Sequence, residues 1–151
     1  MTNGDWTSKG QAMTTLSPLA ATINVALGGA AGAVLRYQLG RGLTRVLGPQ
    51  TMTNFPWATL TANVLGSLAM GVLAGYLARN GAHGSGNGDQ WRLLLGVGLL
   101  GGFTTFSSFS LEMMLLIERG QPAMALSYAL ISILAGLVGL YIGLILMRIT
   151  A

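Results

Sequence analysis

Cysteine is absent from the 151 residues, which excludes disulfides, thiolate nucleophiles and Cys-ligated metals and leaves the redox compartment open. Charge is scarce. Lys, Arg, Asp and Glu together make 8% of the chain, against about a quarter in a soluble domain. Eight basic and four acidic side chains cannot hydrate a 15.7 kDa chain that is 52% hydrophobic with a mean hydropathy of +0.61. A freely soluble enzyme is not expected. The single histidine, His83, lies in a Gly-rich loop without potential co-ligands and reads as solvated. No Ser–His–Asp, paired-carboxylate or metal-ligand arrangement is present, so hydrolytic chemistry has no support and no enzyme is predicted. The net charge of +4 does not point to nucleic acid either. Lys9, Arg36, Arg41, Arg45, Arg79, Arg92, Arg119 and Arg148 stand singly between apolar blocks and form no basic stripe.

What the chain does have is apolar length. Blocks at 19–39, 57–78, 93–117 and 123–147 each suffice to cross a hydrocarbon core, which takes about 20 helical residues. The first block exceeds the apolar run of about 7–15 residues typical of a signal peptide. The prediction is an all-α integral membrane protein with four transmembrane helices, one four-helix membrane domain over 19–148, and a polar tail at 1–18. The connections 40–56 and 79–92 hold Gly, Pro, Asn and most of the remaining charge. The connection 118–122 is short enough to make the last two spans antiparallel neighbours.

Four spans put Lys9, Arg79, Arg92 and Arg148 on one side and Arg36, Arg41, Arg45 and Arg119 on the other. Four against four gives the positive-inside rule nothing to act on. Either another feature fixes the orientation, or the chain inserts both ways and pairs as an antiparallel dimer. Glycines one turn apart (Gly28 and Gly32, Gly71 and Gly75, Gly98 and Gly102, Gly139 and Gly143) predict close backbone packing. Four such thin helices are expected to oligomerise. The literal GxGxxG at Gly96–Gly101 lies inside an apolar run without the strand and turn a dinucleotide site needs, so no nucleotide cofactor is expected.

The run Gly101-Gly102-Phe103-Thr104-Thr105-Phe106-Ser107-Ser108-Phe109-Ser110 is poor helix interior. A break near 101–105 would free the carbonyls from Gly101 through Thr104 for a cation, and it survives in a membrane only where protein or water satisfies it. The other reading is a kinked helix whose hydroxyls bond back to preceding carbonyls. Phe106 and Phe109 share a helical face with Ser107, Ser108 and Ser110 nearby. Ring edges are positive and hydroxyls are donors, so this face suits a small anion as well as it suits packing. Asn63 brings an amide deep into the second span, either as a functional group or as interhelical glue. Ser127, Tyr128 and Ser132 place hydroxyls along the fourth. Glu112, costly at this depth, is a proton carrier, a partner for Arg36, or a group at an aqueous vestibule.

These residues resemble the fluoride channel family (CrcB, or Fluc). The resemblance rests on Gly28–Tyr37 in the first helix, Pro56–Ser67 in the second, and Gly101–Ser110 with Glu112 in the third, and it spans roughly residues 20–148. It implies a dual-topology homodimer in the bacterial inner membrane, with two antiparallel pores that export fluoride passively and confer fluoride resistance. It also implies a structural sodium ion held by the backbone carbonyls of Gly101 and Thr104. Phe106 and Phe109 become the pore phenylalanines, flanked by Ser107 and Ser108. Asn63 becomes the pore amide, Tyr128 and Ser132 the fourth-helix hydroxyl track, and Glu112 a polar group near the pore. Gly136 departs from the family, whose members often continue that track there with Ser or Thr.

Two transporter readings compete. A fluoride/proton antiporter would use Glu112 as its carrier. A small dual-topology multidrug/proton antiporter needs a carboxylate in its first membrane helix, and 19–39 has none.

Overall fold

A computed structural model describes residues 16–81 and 88–149. Most of the predicted tail and the His83 loop lie outside the described residues. Within them the chain is helical: α1 (Pro18–Leu47), α2 (Pro49–Asn54), α3 (Trp57–Gly81), α4 (Gly88–Trp91), a π-helical segment π1 (Arg92–Leu100), α5 (Gly101–Phe103), α6 (Phe106–Glu118) and α7 (Pro122–Ile149). Four stretches are long and apolar enough to cross a membrane: Pro18–Leu47, Trp57–Arg79, Gly88–Glu118 and Pro122–Ile149.

The ends follow local chemistry. Ser17 caps α1, its Oγ accepting from the Ala20 amide at 3.2 Å, with Pro18 as the first helical residue. The first helix runs eight residues past the expected end at Leu39, because Gly40 and Gly42 only weaken a helix. It stops at Gly48, whose φ of +82° a side-chain-bearing residue rarely adopts. Gly120 ends α6 in the same way at φ +74°. Its amide and that of Gln121 turn back to the Ile117 and Leu116 carbonyls, and Pro122 starts α7.

The spans pack as two parallel pairs, α1 with π1–α5 and α3 with α7. Glycine decides both seams. A Cβ on Gly98 would lie 2.9 Å from Gly28 Cα, and one on Gly32 would lie 2.7 Å from the Phe103 amide nitrogen. Along the other seam, a Cβ on Gly143 would lie 2.7 Å from the Val72 amide nitrogen. Side chains larger than hydrogen would drive these backbones apart. The GxGxxG run therefore serves helix packing. Its π-winding, in which the Gly101 amide reaches the Gly96 carbonyl five residues back, was not predicted from the apolar periodicity.

The pairs join through α6 and α7, the neighbours expected from the short turn. Here Leu60, Leu116, Ala125 and Tyr128 form the buried cluster, with Phe55, Val64, Phe109 and Met113 against it. Elsewhere large apolar side chains face outward, among them Leu19, Leu126, Leu134 and Ile149. That outward face and the four spans make the chain a multi-pass membrane protein.

Candidate functional site at the third-span break

The third span is interrupted at Thr104 and Thr105, which adopt extended conformations (φ −84°, ψ 159° and φ −154°, ψ 123°) between α5 and α6. Asn63 on α3 pins the break. Its Oδ1 accepts from the Thr105 amide at 2.9 Å, and its Nδ2 donates to the Thr105 carbonyl at 3.2 Å. The side-chain amide thus pairs with one residue's backbone as a neighbouring strand would. One Nδ2 hydrogen is left over. Thr105 then caps α6, its Oγ1 accepting from the Ser108 amide at 3.2 Å. Both sequence-level readings of the hydroxyls are realised, on different residues. Thr104 and Ser110 bond back to the Leu100 and Phe106 carbonyls at 2.9 and 3.0 Å, while Thr105 organises the break.

Two backbone donors are diverted by this arrangement. In an unbroken α-helix the Thr105 amide would serve the Gly101 carbonyl, and the Ser108 amide would serve the Thr104 carbonyl. Here the first goes to Asn63 and the second to Thr105 Oγ1. The carbonyls from Gly101 through Thr104 all fall opposite the break, so Gly101 and Thr104, the pair predicted to bind sodium, are among those without a helical donor. As hard oxygen donors they fit an alkali cation.

Glu112 is held between spans. Thr59 Oγ1 donates to its Oε1 at 2.7 Å, and the Tyr128 hydroxyl donates to its Oε2 at 2.8 Å. Thr59 is buried and Tyr128 fully so. Of the partners foreseen for Glu112, Arg36 is not the one used. Arg36 instead lines a surface hollow with Tyr37, Arg41 and Arg45. Tyr128 leads into a row of rings. Its ring lies 5.1 Å from Phe109, and Phe109 lies 5.8 Å from Phe106. Phe106 is 79% exposed at the edge of the chain.

Asn63, Thr105, Phe106, Phe109 and Ser132 border one cavity of about 410 Å³, whose wall does not include Glu112 or Tyr128. Among the described residues the buried Ser132 hydroxyl makes no hydrogen bond of good geometry, although it lies near the Tyr128 hydroxyl, and a buried hydroxyl left unpaired is costly. Ser107 lies outside this wall, exposed, with its Oγ 3.2 Å from Thr105 Oγ1. Ser108 Oγ accepts from Thr105 Oγ1 at 3.3 Å, and Ser127 bonds back to the Ala123 carbonyl at 2.9 Å, away from the cavity. In the sequence Thr59 stands out only as a polar neighbour of Asn63 and Thr105 only as part of the Gly101–Ser110 run, and neither shows its partner there. Thr59, Asn63 and Ser67 recur every four residues, a spacing that puts them on one face of α3 and was there to be read.

Residues 23–144 match the family model described as CrcB-like protein, Camphor Resistance (CrcB). A protein of Erythrobacter litoralis named Fluoride-specific ion channel FluC is 58% identical over 139 residues, covering 92% of this chain and 100% of that protein. The protein of the same name from Novosphingobium aromaticivorans is 55% identical over 130 residues, covering 86% and 98%. That of Phenylobacterium zucineum is 50% identical over 128 residues, covering 85% and 95%. A match across nearly the whole membrane domain makes this chain a member of the CrcB-like family.

Proposed function

We propose that this chain is a fluoride-selective channel of the bacterial inner membrane, not an enzyme. It exports fluoride passively and thereby confers resistance. The relatives named as fluoride-specific channels support the substrate. The observation that carries the reading is the cavity in which the unpartnered Ser132 hydroxyl meets the Asn63 amide and the Phe109 and Phe106 rings. Fluoride is small and tightly hydrated, so a selective path must replace its water with closely spaced donors. Amide, hydroxyl and ring edge do so without a full positive charge, leaving sites weak enough for the ion to move on. No arginine reaches the cavity wall.

The working unit is an antiparallel, dual-topology homodimer. Phe106, mostly exposed on one chain, then faces a second copy, and the even division of basic residues lets both orientations insert. The Gly101 and Thr104 carbonyls would hold a sodium ion, which would supply a fixed positive charge beside the break. The residues of this chain keep those carbonyls available, through Asn63 and Thr105, and line the path through Phe106, Phe109, Tyr128 and Ser132. Glu112, with Ser107 and Ser108, belongs to the polar surroundings of that path. Both oxygens of Glu112 accept hydroxyl bonds from neighbouring spans, which favours a fixed polar group over a proton carrier.

Purified protein in liposomes tests this with a fluoride electrode, using chloride as the control. Rapid fluoride efflux without chloride efflux and without a proton gradient is expected. Equal passage of both ions, or of neither, overturns the reading.

A further inference from the structure

The polar residues of α3 and α7 rise in register. On α3 they are Thr59, Asn63 and Ser67, and on α7 the corresponding positions are Tyr128, Ser132 and Gly136, each four residues apart. The helices are parallel, so each step lifts both rows by roughly 6 Å. At the first level Thr59 and Tyr128 meet on Glu112. At the second, Asn63 and Ser132 face the same cavity. At the third, α7 has no side chain, and a Cβ on Gly136 would lie 3.5 Å from Ser67 Oγ.

Ser67 also lines the cavity. Its hydroxyl has no hydrogen-bond partner among the described residues and does not bond back to the Asn63 carbonyl one turn below, as Ser110 and Ser127 do to theirs. The next group up the wall from Asn63 is thus a free donor on α3, opposite the bare backbone of α7.

We infer that Ser67 is a fluoride-coordinating residue of this chain, supplying from α3 the hydroxyl that α7 lacks at Gly136. The inference rests on the channel reading above. The open space beside Ser67 is the cavity it lines together with Asn63 and Ser132. Between the level of Asn63 and Ser132 and the far end of the path, Ser67 gives the anion its next uncharged site, as conduction through successive weak sites requires.

Fluoride efflux from liposomes is measured for the wild type, Ser67→Ala, Ser67→Thr, and the double variant Ser67→Ala/Gly136→Ser. Loss of one donor to an anion predicts a fall of about tenfold or more in Ser67→Ala. Ser67→Thr, which keeps the hydroxyl, retains most of the flux. The double variant, which returns a hydroxyl to the same level from the facing helix, recovers most of it. Size-exclusion elution and circular dichroism matching the wild type establish that each variant is folded. Wild-type flux in Ser67→Ala overturns the inference. So does a loss that Gly136→Ser fails to repair, because it assigns the effect to packing. Absence of fluoride flux in the wild type is a different result and sinks the channel reading itself.

Discussion

Asn63 and Thr105 exchange two hydrogen bonds, side-chain amide to backbone amide, 42 residues apart in sequence. This pair fixes where the third span breaks and which carbonyls the break releases. Asn63→Leu removes both bonds and strands a buried N–H and C=O, a loss of about 2–4 kcal/mol. Asn63→Asp keeps the acceptor for the Thr105 amide but turns a second acceptor toward the Thr105 carbonyl. Thermal unfolding in detergent is expected to place both variants below the wild type, and wild-type stability in either would refute the pinning.

Phe106 and Phe109 separate conduction from stability. Phe109 packs on Tyr128 and belongs to the buried cluster's edge, whereas Phe106 is largely exposed on the single chain. Phe106→Ile is expected to cut fluoride efflux at least about tenfold, the effect of losing one transition-state contact of about 1.4 kcal/mol, with helical content intact. Phe109→Ile is expected to lose flux and also about 1 kcal/mol of stability through its ring contact. Paired flux and unfolding measurements distinguish the two.

Glu112 accepts two hydroxyl bonds, so an amide in its place turns a donor toward a donor. Glu112→Gln is expected to cost about 1–3 kcal/mol. Tyr128→Phe removes one of the two donors and relieves that clash. The double variant is therefore expected to be less destabilised than the sum of the singles, with a coupling of about 0.5–3 kcal/mol in a double-mutant cycle. Strict additivity would mean the two groups do not share the bond.

Glycine positions should divide sharply. A Cβ on Gly32 would meet the backbone of Gly102 and Phe103, whereas one on Gly42 meets nothing within 4 Å. Gly32→Ala is expected to abolish a monodisperse product on size exclusion. Gly42→Ala is expected to be neutral or to stabilise by up to about 1 kcal/mol, as helix propensity alone predicts. Equal behaviour of the two would refute the close seam.

Much of this molecule is legible without coordinates. Membrane residence, the four spans, the glycine seams and the vulnerable stretch at Gly101–Ser110 follow from apolar length, small-residue spacing and poor helix propensity. These are properties of residues close together in the chain. The break narrows to Thr104–Thr105, and the partners of Glu112 become Thr59 and Tyr128 rather than Arg36, only when distant spans are brought side by side. The continuation of α1 to Leu47 and the π-winding of Arg92–Leu100 were likewise hidden. Two glycines do not stop a helix, and apolar periodicity does not distinguish one helical pitch from another over nine residues.

Local sequence thus determined where lipid, glycine contact and helix weakness fall, because solvation and backbone propensity act over a few residues. Tertiary packing decided which polar groups spend their hydrogen bonds on each other and which keep one unused. Asn63 gives its oxygen and one N–H to Thr105 and keeps a second N–H, Glu112 is held by Thr59 and Tyr128, and the Ser132 hydroxyl has no partner among the described residues. A hydrogen bond depends on separations of a few tenths of an ångström between residues tens of positions apart, and only the packed helices set those.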